Sequence, residues 1–310
     1  MKKDLLSIGD LNSAEIDSIL KLSQQLKKNK NKFAKSLSGK TLALIFQKPS
    51  NRTRVSFEVG MYQLGGNSLY LSPQEINLGV RETIGDVSRT ISRYVDGIVL
   101  RTFEHKNCLD MATSASVPVI NGLSDYSHPC QALADLFTIK EKLKTLKKVT
   151  LAYVGDGNNV CNSLLFAAAK TGMDISVATP KGYAPTDEVV KSSQAAAKVS
   201  GGRITISEDP FSAVKDAQVV YTDVWASMGQ EEEINKRKVI FKDFQINTKL
   251  LSNATENVLV MHCLPAHRGE EITDEVMESK NSIVFDQAEN RMHVQKAILI
   301  KLLGKNQRFL

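Results

Sequence analysis

The stretch QKPSNRTRVSFE, residues 47–58, follows an apolar run at 42–46 that has the composition of a buried strand. Pro49 ends this strand, and Ser50 is a favourable N-cap residue for the helix that the following residues predict. The unpaired backbone N–H groups at the start of such a helix, together with its dipole, favour a bound anion. The stretch therefore predicts a strand, a turn and a helix whose first turn faces an anionic ligand.

Side chains at the same helix end strengthen this prediction. Ser50 and Thr53 carry hydroxyl groups, and Arg52 carries a guanidinium that can bind a phosphate through two hydrogen bonds. Arg52 and Arg54 lie about 200° apart on a helix of 3.6 residues per turn, so only one of them can face the ligand. Arg54 is better placed to pair with Glu58, one turn further on. The alternative interpretation is a capped helix with surface arginines.

Composition restricts the class of protein. A chain of 310 residues suggests two domains of about 150 residues. The first residues lack the apolar segment of a signal peptide, and no apolar run approaches the ~20 residues of a membrane span, so no membrane partner is expected. Four cysteines without a CxxC pair are typical of reduced thiols in a cytoplasmic protein. The net charge of +6 suits an anionic substrate or a lysine-rich surface. No nucleic-acid partner is expected, because the lysine-rich segments lack alternating aromatic residues.

Residues 1–142 are predicted to form the first domain. Apolar periodicity predicts helices over 13–28 and 83–94 and strands over 41–46, 68–71, 98–100 and 117–121. Residues 72–81 show neither periodicity, which predicts a mobile loop.

Three further polar residues follow strands of this domain. Arg101 comes directly after the 98–100 strand, at the edge where open α/β sheets bind ligands, so it can reach the same anion as Arg52; a surface position is the alternative. His128 precedes Pro129, which suits the first position of a helix, and Gln131 lies on the first turn. A histidine is more often structural than catalytic, but this one lies at a helix start beside the same sheet edge.

Residues 143–290 alternate strand and helix, which predicts a second parallel sheet. The predicted strands are 149–154, 174–178, 204–206, 219–222 and 258–262, with helices from 160 and over 186–199 and 210–216. GDGNNV at 155–160 resembles a dinucleotide-binding loop, but Val160 occupies the third glycine position and the next strand ends without an acidic residue for a ribose. No dinucleotide cofactor is therefore expected. The amides of Asn158 and Asn159 suit a small polar ligand instead.

The segment TDVWASMGQEEE, residues 222–233, follows a predicted strand. Asp223, Ser227 and the backbone of Met228 can bind an ammonium and a carboxylate group together. Taken alone, Asp223 is equally well explained as a turn residue.

The segment HCLPAHRGEEIT, residues 262–273, also follows a predicted strand. The spacing of His262, Cys263 and His267 matches no common zinc motif, so no metal is expected. Residues 286–303 predict a strand end that passes into a long C-terminal helix, with Arg291 near its start.

These motifs resemble those of the ornithine carbamoyltransferases, in order and over nearly the whole chain. The Ser-Thr-Arg-Thr-Arg motif of carbamoyltransferases is present with Asn51 where Thr is usual, and HPCQ followed by LAD matches HPxQ. The D-x-x-x-S-M-G segment and HCLP are similar to the ornithine enzymes, whereas aspartate transcarbamoylases lack the first and carry HPLP. The resemblance implies an α/β fold of two domains, each a parallel sheet flanked by helices, and a C-terminal helix, 291–310, that returns to the first domain.

The resemblance also implies a reaction and a set of residues. The carbamoyl group of carbamoyl phosphate is transferred to the δ-amine of L-ornithine, giving L-citrulline and phosphate, without a cofactor. Both directions of arginine metabolism use the same site; biosynthesis is the direction expected here. Carbamoyl phosphate is expected to bind to Ser50, Asn51, Arg52, Thr53, Arg101, His128, Gln131 and Arg291. Ornithine is expected to bind to Asn159, Asp223, Ser227, Met228, Cys263 and Leu264. Arg101, His128 and Cys263 are expected to be catalytic.

The resemblance further implies a cytoplasmic homotrimer in which the 72–81 loop reaches a neighbouring active site. Asn77 stands in that loop where members often carry Gln. Acetylornithine or putrescine remains an alternative substrate. From another class of function, a non-catalytic nucleotide-binding α/β protein is the alternative.

Overall fold

The computed structural model describes residues 3–226 and 231–304, and the chain divides into two compact units. The first unit comprises Met1–Phe137 and Asn290–Leu310, and the second comprises Thr138–Glu289. The expected fold class is confirmed, since each unit contains one parallel sheet with helices and the C-terminal helix belongs to the first unit from Asn290 onward.

The first unit is built on four parallel strands. They are β1 (Thr41–Phe46), β2 (Asn67–Leu71), β3 (Gly97–Arg101) and β4 (Val119–Leu123). The helices of this part are α1 (Ser13–Lys28), α2 (Asn51–Gln63), α3 (Pro73–Ile76), α4 (Ile84–Ile91), α5 (His105–Ser114) and α6 (Pro129–Leu143). The spatial order β2-β1-β3-β4 means that the chain leaves β1 toward one side of the sheet and β3 toward the other. The carboxyl ends of β1 and β3 therefore border a topological switch point, where α/β sheets bind ligands.

Helix α2 begins where the sequence predicts it. Ser50 is the N-cap residue with an extended backbone (φ −159°), and its hydroxyl oxygen accepts a hydrogen bond from the Thr53 N–H at 3.3 Å. Arg54 donates to Glu58 at 2.9 Å, as the spacing of one turn predicts. The side of α2 that contains Thr53 and Phe57 is buried. The side with Val55, Val59 and Tyr62 is exposed.

Some local features of the structure differ from the sequence-based predictions. Residues 73–76 form α3 inside the predicted loop, because Ser72 and Glu75 make reciprocal capping hydrogen bonds. Helix α5 had no predicted counterpart. The predicted strand end at residue 286 is wrong, because the C-terminal helix already begins at Val284.

The second unit contains β5 (Thr150–Val154), β6 (Asp174–Ala178), β7 (Ile204–Ser207), β8 (Val219–Thr222) and β9 (Leu259–His262). Its helices are α7 (Asn159–Thr171), α8 (Asp187–Ser200), α9 (Pro210–Val214), α10 (Ile234–Ile240), α11 (Thr248–Leu251) and α12 (Asp274–Met277), and the C-terminal helix is α13 (Val284–Leu303). All strand pairs are parallel, in the order β7-β6-β5-β8-β9. The switch point lies between β5 and β8, and apolar residues of both strands, such as Val154 and Val220, belong to the core beneath it.

Gly157 of the GDGNNV segment has a packing role. A Cβ atom at this position would lie 2.3 Å from the backbone nitrogen of Pro185 and 2.5 Å from the carbonyl oxygen of Tyr183. Since backbone atoms cannot yield at that distance, only glycine fits. The close approach of the β5–α7 loop to residues 183–185 therefore explains this glycine without a pyrophosphate.

None of the four cysteines, all of which lie in the described residues, forms a disulfide bond. Within residues 3–226 and 231–304, no helix combines the length and the hydrophobicity that crossing a membrane requires.

Candidate active site

The switch point of the first sheet collects the polar residues that its strand ends and helix starts carry. Arg101 is the last residue of β3 and lies opposite Phe46, the last residue of β1. The Gln47 N–H donates to the Arg101 carbonyl at 2.8 Å, which holds the start of the β1–α2 turn against the end of β3. Ser50 and Thr53 follow on the first turn of α2. We call this group, with His128, Gln131 and Arg291, the β1/β3 site.

Arg291 reaches this site from helix α13. Its Nη2 donates to the Thr53 hydroxyl oxygen at 3.0 Å, across 238 residues of sequence, and both side chains are buried. Because Thr53 accepts this bond, its own hydroxyl hydrogen points elsewhere and can be donated to a ligand. The pair thus converts a threonine at a helix start into an oriented hydrogen-bond donor.

His128 is buried immediately before α6. Burial lowers its pKa well below the usual value of 6.5, and the positive charges of Arg291, Arg101 and Arg52 lower it further, in that order. The imidazole is therefore neutral near pH 7, and one ring nitrogen carries a hydrogen. The guanidinium groups whose charges act on this ring can bind a phosphate through several hydrogen bonds.

Gln131 lies one turn into α6 and is buried. Its Nε2 donates to Asp135 Oδ1 at 2.8 Å, which fixes the orientation of the amide. Its Oε1 has no hydrogen-bond partner within the described residues. A buried carbonyl oxygen in this state can accept a hydrogen bond from a ligand N–H. Asp135, the last residue of the LAD segment, was given no role from the sequence, although its spacing of four residues from Gln131 was a usable signal.

The switch point of the second sheet carries a second polar group, the β5/β8 site. Asn158 is the N-cap of α7, and its Oδ1 accepts from the N–H groups of Val160 and Cys161 at 2.9 and 3.1 Å. Its Nδ2 donates to Asp223 Oδ2 at 2.8 Å, just after β8. Asn158 therefore holds the carboxylate, whereas Asn159, the residue selected from the sequence, is the first helical residue and is partly exposed.

Cys263 follows β9 and faces the same carboxylate. Its thiol donates to Asp223 Oδ1 at 3.0 Å, and this oxygen also accepts from the Val224 N–H at 2.9 Å. Both carboxylate oxygens are thus held in place, and a cation is the natural further partner of a buried carboxylate. Leu264, the next residue, has a left-handed backbone (φ +59°) and precedes a cis peptide bond to Pro265.

Both ring nitrogens of His262 form hydrogen bonds within the protein. Its Nδ1 accepts from the Leu264 N–H at 2.9 Å, so Nε2 carries the hydrogen that is donated to Glu271 at 3.0 Å. Glu271 also accepts from the His267 N–H at 2.6 Å. Ligand atoms of Asp223, His262 and Cys263 lie within 4.8 Å of one another, but the hydrogen bonds of His262 leave neither ring nitrogen for a metal.

Ser227 and Met228 lie outside the described residues. Asp135, Asp156 and Arg237 received no role from the sequence, and Asn158 was named there only as an amide that suits a small polar ligand. Asp156 and Arg237 form an ion pair beside the β5/β8 site with Nη1 and Oδ2 3.1 Å apart.

Family models of known proteins match both halves of the chain. A family model described as the carbamoyl-P binding domain of aspartate/ornithine carbamoyltransferase matches residues 3–141. A second, described as the Asp/Orn binding domain of the same family, matches residues 147–302. The two matches together span nearly the whole chain.

Individual relatives are similar over their full length. An ornithine carbamoyltransferase of Thermococcus kodakarensis is 55% identical over 305 residues, which cover 97% of this chain and 96% of the relative. The solved ornithine carbamoyltransferase of Pyrococcus furiosus superposes with a TM-score of 0.95 at 54% identity, covering 98% of this chain and 97% of that one. The anabolic enzyme of Campylobacter jejuni superposes with a TM-score of 0.93 at 40% identity, covering 98% and 99%.

Proposed function

The chain belongs to the aspartate/ornithine carbamoyltransferase family. On this premise we propose that it transfers the carbamoyl group of carbamoyl phosphate to the δ-amine of L-ornithine, giving L-citrulline and phosphate in arginine biosynthesis. The observation that carries the proposal is the buried contact between Arg291 and Thr53 at the switch point of the first sheet, beside a buried His128 whose pKa is lowered by burial and by the charges of Arg291, Arg101 and Arg52. We further propose a carbamoyl phosphate-binding domain of residues 1–142 and an ornithine-binding domain of residues 143–290, with 291–310 packing on the first.

Carbamoyl phosphate binds, in this proposal, to the β1/β3 site. The first turn of α2, with Ser50, Asn51, Arg52 and Thr53, holds the phosphate through backbone N–H groups, hydroxyls and one guanidinium. Phosphate departs with additional negative charge, which Arg101 and Arg291 stabilise. His128 and Gln131, the other members of the site, bind the carbamoyl group.

The carbonyl oxygen becomes an oxyanion when the amine attacks. Arg101, the Thr53 hydroxyl and the N–H of neutral His128 donate to it, and donors that are already oriented lower the barrier without reorganisation. The contact from Arg291 to Thr53 supports this role, because it leaves the threonine hydrogen to be donated. Gln131 Oε1 accepts from the carbamoyl NH2 group. The NH2 group of the substrate therefore faces a hydrogen-bond acceptor, whereas its oxyanion faces donors.

L-Ornithine binds to the β5/β8 site. Asp223 and Ser227 hold the α-ammonium, and Asn159 with the Met228 N–H holds the α-carboxylate. The δ-amine lies near the Cys263 thiol and the Leu264 carbonyl oxygen, in its neutral form, since a protonated amine has no lone pair. The nitrogen forms a bond to the carbonyl carbon, the bond from that carbon to the phosphate oxygen breaks, and the proton that the nitrogen loses is taken up by the departing phosphate.

The oriented carboxylate of Asp223 bears on the choice of amine. An α-ammonium group matches a buried carboxylate that is held by Asn158 and Cys263. Acetylornithine has a neutral amide in place of this ammonium group, and putrescine has no α-substituents at all. Ornithine is therefore the substrate that the site favours.

We also propose that the protein is a cytoplasmic homotrimer. Val55, Val59 and Tyr62 on α2 and Leu69 on the edge strand β2 are exposed apolar side chains, and such side chains support contact with another copy. The Gln47 amide donates to the Leu78 carbonyl at 3.0 Å, which anchors the 72–81 segment proposed to reach a neighbouring subunit. The absence of disulfide bonds among the four cysteines agrees with a reducing compartment.

The test is citrulline formation from carbamoyl phosphate and L-ornithine, with acetylornithine, putrescine and aspartate in parallel. Turnover with ornithine should fall about 10²- to 10³-fold in Arg101→Ala, the loss expected for one oxyanion donor. Arg89→Ala is the matched control, since Arg89 pairs only at the surface with Asp86. Turnover with another amine alone, or an Arg101→Ala variant as active as Arg89→Ala, would contradict the proposal.

A further inference from the structure

Arg237 on helix α10 is a buried arginine with three polar partners. Its side chain is only 7% exposed. Nη1 lies 2.8 Å from the Trp225 carbonyl oxygen, to which it donates, and 3.1 Å from Asp156 Oδ2. Nε donates to Glu233 at 2.9 Å. The guanidinium also lies 4.8 Å from the centre of the Tyr183 ring, so packing and hydrogen bonds together fix its position.

Two of these partners belong to different strand ends of the second sheet. Asp156 follows β5, on the loop that leads to Asn159, and Trp225 follows β8, two residues after Asp223. One nitrogen of Arg237 therefore joins the loop that carries the proposed carboxylate-binding residue to the loop that carries the ammonium-binding residue. The hydrogen bond between Asn158 and Asp223 links the same two loops at a second point.

A contribution to stability does not by itself explain the ion pair of Arg237 and Asp156. Burial raises the pKa of Asp156 to about 6, even though the neighbouring Arg237 opposes this, and the charges of Asp223 and Glu233 act in the same direction as burial. Desolvation thus outweighs the attraction between the partners, and an apolar pair would serve a core at least as well. What the pair supplies is a defined geometry with several directed bonds.

We propose that Arg237 is a positioning residue for the amino-acid substrate, which sets the spacing between the β5 loop and the β8 loop. The inference rests on the proposed function, because it assumes that these loops bind the two α-substituents of ornithine. Arg237 itself does not touch the substrate. Its loss alters binding of the amino acid while carbamoyl phosphate, bound by residues of the first unit, is unaffected.

The experiment compares Arg237→Met with Lys238→Met. Lys238 lies on the same helix and forms an ion pair with Glu270 at 2.7 Å, with its side chain 45% exposed, so its replacement removes the same charge without touching either loop. The measurements are the KM for each substrate, kcat, and the inhibition constant of L-norvaline, which has the α-groups of ornithine but no δ-amine. Trp225 is the only tryptophan, so the fluorescence of the unliganded protein reports directly on the β8 loop.

For Arg237→Met we expect the ornithine KM and the norvaline inhibition constant to rise about 10- to 100-fold, the loss expected for directed bonds to a charged group. The carbamoyl phosphate KM and kcat should change less than about threefold, and Trp225 emission should shift. Lys238→Met should match the wild type in all of these. Equal effects on both substrates, or an unchanged ornithine KM, would overturn the inference.

A second variant covers failure of Arg237→Met to fold. Arg237→Lys keeps the charge beside Asp156 but cannot reach the Trp225 carbonyl and Glu233 at once, so a smaller selective rise in ornithine KM is expected. A folded Arg237→Lys protein with wild-type ornithine KM also overturns the inference. Failure of the proposed function looks different, since the wild-type protein would then make no citrulline from ornithine.

Discussion

Replacing Thr53 by Val isolates one hydroxyl group at the centre of the β1/β3 site. The two side chains have nearly the same shape, and Thr53 is 1% exposed, so the substitution leaves the packing of α2 in place. It removes the acceptor of the 3.0 Å bond from Arg291, and it removes the hydrogen that Thr53 is proposed to donate to the oxyanion.

The two losses have different magnitudes and separate assays. Leaving a buried charged donor without this acceptor costs about 1–3 kcal/mol in the free energy of unfolding, measured by urea denaturation. Loss of an oxyanion donor lowers kcat by about 10²- to 10³-fold, measured by citrulline formation at saturating ornithine. The catalytic loss is the larger of the two in free energy, because the donor acts on charge that develops only in the transition state.

Thr53→Ser is the matched control. It retains the hydroxyl and loses one buried methyl group, which costs about 0.8 kcal/mol of stability, so its kcat should stay within about threefold of wild type. Adding Arg291→Met to Thr53→Val should cost less than the sum of the single changes, because the two residues share one bond. A Thr53→Val enzyme with wild-type kcat, or a Thr53→Ser enzyme as impaired as Thr53→Val, would refute the reasoning.

Three further predictions concern other parts of the molecule. His128 has a folded-state pKa well below 6.5, so the unfolded chain binds its proton first and the free energy of unfolding falls as the pH drops below about 6.5. Urea denaturation at pH 7.5 and 5.5 should show that the free energy of unfolding falls less in His128→Gln than in the wild type. An equal fall in the two proteins would assign the pH dependence to other groups. Asn158→Ser keeps a capping oxygen for α7 but is too short to reach Asp223, so the ornithine KM should rise about tenfold, while carbamoyl phosphate KM stays constant in the same kinetic assay. A rise in both constants would point to general damage. Tyr62→Lys should dissociate the proposed trimer in analytical ultracentrifugation, whereas Val199→Lys, 91% exposed on α8, should not; a trimer that survives Tyr62→Lys would place the interface elsewhere.

Much of the fold follows from local patterns in the sequence. Helix α1 and strand β1 occur at the predicted residues, and the N-cap at Ser50 and the pair of Arg54 with Glu58 form as their spacing predicts. These features depend on residues within about one turn of each other, so a single sequence contains all the information they need. One of the exceptions, α3 within 72–81, depends on a capping box that is also local but occurs in a segment without apolar periodicity.

The sequence predicts members of the candidate site but not how their side chains are arranged. Motif resemblance identified Asn159 and Gln131, but the structure shows that Asn158 holds Asp223 and that Asp135 orients Gln131. Adjacent asparagines look alike in a sequence. Which of them caps the helix and faces the next strand is decided by the direction in which the chain leaves β5.

The sequence by itself determined the strands, the helix starts and the residue types that gather at the two sheet edges, because short-range hydrogen bonds and apolar periodicity specify them. Only the tertiary structure decided which distant groups meet. Arg291 reaches Thr53 across 238 residues, and Arg237 joins two loops that follow different strands. The tertiary structure also determines that the pKa of His128 is lowered, since this shift depends on burial and on three guanidinium groups from separate segments. The physical reason is that long-range contacts and desolvation arise from the packing of the whole domain, which no local stretch of sequence contains.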